Sequence, residues 1–181
     1  MALPIAHGLL GASVVVVLWQ NKPSESIWRP MILGVLVALL PDLDFSFTWF
    51  LNLSSDWHRG FSHSIVFAYL FGWGASRLLG RRDLRSVLVI GTAAATHGIL
   101  DALTSTKGGV ELLWPFFSER FASGLFEYPD VLDVRFSFQD DLLLIRGPLR
   151  LIELCFGETL IFAPVFLLSI LYRRVFVKSA S

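Results

Sequence analysis

Five apolar runs punctuate the chain, at about residues 4–20, 30–51, 61–80, 86–106 and 151–172, and one long connection, 107–150, separates the last two. A helix rises ~1.5 Å per residue and the hydrocarbon layer of a membrane is ~30 Å thick, so ~20 residues cross it. By that measure the first run is short and the other four are adequate. The pattern predicts an all-α polytopic membrane helix bundle with about five transmembrane helices, forming one domain over 1–181 without an internal repeat. The long connection is rich in aromatics (Trp114, Phe116, Phe117, Phe121, Phe126, Tyr128, Phe136 and Phe138), and its alternation Val134-Arg135-Phe136-Ser137-Phe138 suits a short strand or a segment lying in the interface. The first run lacks the cationic n-region of a signal peptide, which favours a retained helix.

Composition supports the membrane reading. Hydrophobic residues make up 54% of the chain and charged residues only 17%, and the mean hydropathy is +0.63, too apolar for an ordinary soluble domain. Formal net charge is +0 and no basic stripe interleaved with aromatics is present, which argues against a nucleic acid partner. The single cysteine, Cys155, can form neither an internal disulfide nor a cysteine-type zinc site.

Charge placement orients the bundle. With five spans, Lys22, Arg29, Arg77, Arg81, Arg82, Arg85, Arg173, Arg174 and Lys178 share one side, opposed there only by the acids Glu25 and Asp83. That side is expected to be cytoplasmic. The other side receives the amino terminus, the connection 52–60 and the aromatic segment, and every histidine of the chain falls there: His7, His58, His63 and His97.

Those histidines lie in PIAHGLL, WHRGFSHS and THGILDALTS, and LLPDLDF adds two carboxylates. Neutral imidazoles and carboxylates are the ligands a divalent transition ion takes, and apolar surroundings make both costly to keep otherwise. Seven candidate ligands result: His7, Asp42, Asp44, His58, His63, His97 and Asp101. His97 and Asp101 are four apart, so a helix stacks them on one face, where both can bind one ion, the aspartate can orient the imidazole, or the two can form an interhelical polar pair. Asp42 and Asp44 converge if Pro41 breaks the helix into an extended stretch and diverge by ~200° if it stays helical. A polar turn ending the helix is the plainer reading. His58 and His63, five apart, do not share a helical face, so Gly60 is expected to let His58 fold back from a loop. Arg59 between them suits an anion clamp or a headgroup contact. Ser62, Ser64, Thr104 and Ser105 are better suited to capping than to nucleophilic catalysis, because no Ser-His-Asp arrangement is visible. Near a helix start, His7 could equally face water. Glu111, Trp114 and Pro115 follow the fourth run, as an aromatic belt or a substrate lining. Glu153 and Glu158 are acids within the last run, expected to pair with an arginine or another helix.

In combination, the N-terminal histidine, LPDLD, HRGFSHS, THGILD and the following WPF resemble the family of LexA-regulated, membrane-bound, metal-dependent hydrolases of the bacterial inner membrane, over about residues 1–120. The resemblance implies a small multi-helix membrane fold and a metal centre at His7, Asp42, Asp44, His58, His63, His97 and Asp101. A catalytic zinc takes three protein ligands and a water, so seven candidates imply two ions, or one ion with acid-base residues to spare. The expected inner shell is Asp44, His63, His97 and Asp101, with His7, Asp42 and His58 as second-ion ligands or proton handlers and Arg59 stabilising charge on a phosphoryl or acyl oxygen. The catalytic expectation therefore rests on Asp42, His58 and Arg59, the cofactor on one or two divalent ions with zinc foremost, and the substrate on a lipid or lipid-linked ester or phosphoester. A metal transporter, which would need broken helices at the midplane and a repeat, and a membrane protein with a structural metal site are the alternatives.

Overall fold

The computed structural model describes residues 4–19, 26–44, 46, 50–52, 57, 59–105, 108–125 and 141–177, with side chains from 152 onward in the last stretch. Five α-helices are present among them: α1 (Pro4–Leu18), α2 (Trp28–Leu39), α3 (Ile65–Leu78), α4 (Leu84–Thr104) and α5 (Asp141–Tyr172), the last widening into a π-helical turn, Arg173–Val177. The described residues contain no strand, only an isolated antiparallel bridge between Val110 and Phe121. The alternation at 134–138, like His58, lies outside the described residues.

Five helices match the expected number, but their lengths differ from five full spans. Among the described residues, only Leu84–Thr104 and Ile152–Phe176 are long and apolar enough to cross a membrane, while Pro4–Leu18 and Ile65–Leu78 are apolar but shorter. The second run, read as 30–51, is α-helical only over Trp28–Leu39, because Pro41 and the polar residues after it tighten the chain into a 3-10 turn over Leu40–Leu43. The third run, read from 61, begins as the 3-10 turn Phe61–His63 and becomes α-helical only at Ile65.

α4 is the centre of the bundle and packs against α1, α2 and α3, while α5 packs on α1. Its buried positions Val89, Ile90, Ala93, Ala94 and Ala95 meet Val15 and Trp19 of α1, Val37 of α2 and Ala68 of α3 in one apolar core. Small side chains permit this closeness, as expected where helices associate by packing rather than by escape from water. α1 and α2 cross at Gly11 and Gly34, where a Cβ on Gly34 would lie 2.6 Å from the carbonyl oxygen of Gly11. α4 starts on Asp83, whose carboxylate accepts from the Ser86 N–H at 2.7 Å and the Ser86 hydroxyl at 2.9 Å, contacts that hold this exposed carboxyl below its usual range.

Polar groups separate to the two ends of the bundle. Arg85 donates to the Leu18 carbonyl from Nε at 3.2 Å and Nη2 at 3.0 Å, and Arg81 lies 4.4 Å from the ring centre of Trp19. Both arginines therefore sit at the C-terminal end of α1, whereas His7 lies in its first turn. The segment 108–125 closes over the histidine end. Ile65 N–H donates to Leu112 O at 3.0 Å, Glu111 N–H to Arg59 O at 3.1 Å, and Ser123 N–H to Ala102 O at 2.9 Å.

Candidate metal centre

Four side chains meet at that end: Asp42 from the 3-10 turn after α2, His63 from the turn before α3, and His97 and Asp101 from α4. Each can offer one ligand atom such that all four atoms lie within 4.8 Å of one another. His63, His97 and Asp101 are buried, and the Asp42 side chain keeps 32% of its surface open. Asp42 Oδ1 is 3.2 Å from His97 Nε2 and 3.7 Å from His63 Nε2. Asp101 Oδ2 is 3.8 Å and 3.7 Å from the same two nitrogens.

The hydrogen-bond partners decide which nitrogens face the cluster. His97 Nδ1 lies 2.7 Å from the Ala38 carbonyl, which can only accept, so Nδ1 carries a proton and Nε2 is the nitrogen turned toward the cluster. His63 Nδ1 lies 3.0 Å from the Ser62 hydroxyl, which itself donates to Asp44 Oδ2. The chain of donors His63 Nδ1–H to Ser62 Oγ–H to Asp44 likewise turns Nε2 toward the cluster. The two Nε2 atoms are 3.1 Å apart. Two imidazole nitrogens and two carboxylates thus face one another, a donor set that a divalent cation can share. Asp42 Oδ1 and both oxygens of Asp101 are buried without a hydrogen-bond partner, as expected of donor atoms reserved for an ion. The residues fit a divalent cation.

His7 adds a flank to this cluster. Its Nε2 is 3.3 Å from Asp101 Oδ1, and its ring stacks on His97 with centroids 3.9 Å apart. Asp101 therefore spans the site, with one oxygen toward His7 and the other toward His63 and His97.

The two LPDLD carboxylates take different places. Asp44 was expected in the inner shell with Asp42 outside it, but Asp42 is the one among the four. Asp44 stands behind His63, 3.5 Å from Nδ1, and also accepts the Arg59 backbone N–H at 3.3 Å. The backbone at Asp44 is helical, φ −60° and ψ −29°, so the two carboxylates diverge and grip His63 from opposite sides. The sharp turn before His63 falls on Arg59, with φ 63°, rather than on Gly60, whose φ is −84°. Ser64 caps α3 by accepting from Phe67 N–H at 3.1 Å.

The sequence suits Ser62 to capping, and its spacing carries no signal of a role behind His63. Only the fold places its hydroxyl between imidazole and carboxylate. Ser62→Ala is expected to weaken Zn(II) or Co(II) affinity by about 10- to 100-fold with little change in melting temperature, the effect typical of removing a partner behind a metal-bound imidazole. Titration with either ion checks this, and unchanged affinity would remove Ser62 from the centre.

The fold and this cluster define a helical membrane protein whose buried His/Asp group could hold a metal ion. Residues 1–173 match the family described as YdjM inner membrane protein, and the chain belongs to that family. It is also 34% identical over 128 residues to Inner membrane protein YbcI of Escherichia coli (strain K12), an overlap covering 66% of this chain and 67% of that protein. No solved structure matches.

Proposed function

We propose that this inner-membrane protein is a metal-dependent hydrolase acting on a lipid or lipid-linked phosphoester or ester. The observation that carries the reading is the convergence of Asp42, His63, His97 and Asp101, whose ligand atoms lie within 4.8 Å of one another. A divalent ion such as zinc supplies a water acidic enough to attack near neutral pH and polarises the bond under attack. His63, His97, Asp101 and Asp42 hold the ion, and His7 and Asp44 orient the first three. Asp42, the one partly open member, is placed to accept the proton of the attacking water, and His58 is a further candidate for that task. Arg59 is fixed beside the centre by its backbone contacts to Asp44 and Glu111, and is suited to bind a developing oxyanion.

The setting favours a lipidic substrate. Trp57, Trp114, Phe116, Phe117 and Phe121 are exposed at the same end as the cluster, where aromatic rings suit the lipid interface. Arg81, Arg85 and Arg173 gather at the opposite end, so positive-inside orientation of a multi-pass bundle turns the centre to the extracytoplasmic face. Purified protein is expected to hold one or two divalent ions and to cleave a member of a panel of lipid phosphoesters and carboxylic esters. Chelation should abolish turnover and zinc should restore it. Protein that binds no divalent ion, or that turns over equally after chelation, would rule the proposal out.

A further inference from the structure

α1 contributes His7 to the centre but carries no charged residue to balance either end of its dipole. It begins at Pro4, with neither an acidic residue in its first turn nor a basic one in its last. The N–H groups of its first turn and the carbonyls of its last have no partner within the helix, and in hydrocarbon such groups are costly. α5 supplies both ends. Glu158 Oε2 accepts the Ala6 N–H at 3.1 Å, and Arg173 Nη1 donates to Val16 O at 2.6 Å and to Trp19 O at 2.8 Å. The two helices therefore run parallel. A carboxylate sits at the positive end of the α1 dipole and a guanidinium at its negative end, the arrangement that lowers the energy of both charges. Glu158 is fully buried, at 0% exposure, and an ionisable group at that depth marks function more often than packing. The residue it holds is next to His7, whose ring is stacked on His97 and faces Asp101.

We infer that Glu158 is a positioning residue for the metal centre: α5 clamps α1 at both ends, and the Glu158 end sets the His7 ring against His97 and Asp101. The assignment rests on the hydrolase reading for its purpose but not for its test. His7 and His97 are both fully buried, at 0% exposure, so each should resist acylation by diethyl pyrocarbonate in the full-length protein in detergent, and peptide mass spectrometry reads the two separately.

Glu158→Leu removes the acceptor and is expected to raise the modification rate of His7 at least ~10-fold while His97 stays within ~2-fold of the unaltered chain. Glu158→Gln keeps a hydrogen-bond acceptor and should restore His7 protection to within ~2-fold. Arg173→Gln loosens the far end and should leave His7 protected, which separates positioning from a general loss of helix docking. The inference is overturned if His7 stays protected in Glu158→Leu, or if His7 and His97 become reactive together. Cobalt(II) absorption on the same proteins distinguishes the two proposals. An unaltered chain that binds no cobalt defeats the metal-centre reading, while the histidine reactivities still decide the role of Glu158.

Discussion

Gly98→Ala is expected to dismantle the candidate metal centre although it changes no proposed ligand. A Cβ on Gly98 would drive into the backbone carbonyl of His63 and lie 3.3 Å from the Leu112 side chain. Backbone cannot rotate away as a side-chain tip can, so either the 61–63 turn or α4 must shift. Overpacking of this kind costs ~1–3 kcal/mol. The larger consequence is geometric, because His63 Nε2 stands 3.1 Å from His97 Nε2 and that spacing depends on the approach of the turn to α4. Metal affinity should fall by ~100-fold, as expected when a ligand is displaced by ~1 Å from a site that tolerates ~0.5 Å. Ion titration together with a melting curve checks this, and a Gly98→Ala protein with unaltered affinity would show that His63 does not need this contact.

Asp101→Asn is expected to have the largest effect of any substitution that preserves volume. The carboxylate is 0% exposed, reaches His7 with one oxygen and His63 and His97 with the other, and has no hydrogen-bond partner on either oxygen. Removing one member of a buried charge pairing costs ~3–5 kcal/mol, which corresponds to roughly 10²- to 10⁴-fold in affinity. Bound divalent ion should therefore drop from stoichiometric to trace, and any hydrolytic turnover should vanish with it. The amide occupies nearly the same space, so helical content should be retained. Ion content by mass spectrometry and circular dichroism on the same preparation read both. Full ion content in Asp101→Asn would exclude Asp101 as a ligand, and retained content with lost turnover would move it from holding the ion to the chemistry.

Much of the centre was legible because its residues obey local rules. His97 and Asp101 had to share a face once the fourth run was read as a helix, and the arginine bias already placed the histidine motifs together at one end. The two carboxylates of LPDLD were recognised as a pair that needs a counter-charge. Which of them enters the cluster was not legible, because that turns on whether the chain after Pro41 extends or stays helical, a choice made by packing of the turn against α4 and His63. The lengths of the helices were overread for a related reason. Hydropathy continues through the 3-10 turns at Leu40–Leu43 and Phe61–His63, so apolar composition alone does not mark where α-helical geometry stops.

Taken alone, the chain determined its membrane setting, its all-helical class, its charge asymmetry and the residue types of a candidate metal centre, since these follow from composition and from periodicity within one element. Tertiary structure alone decided that Asp42 rather than Asp44 joins the cluster, that Ser62 orients His63, that Gly98 must lack a side chain, and that Glu158 holds the start of α1. Each of those depends on contact between residues far apart in sequence, such as Ala6 and Glu158, and a local pattern carries no record of which distant groups close packing will bring together.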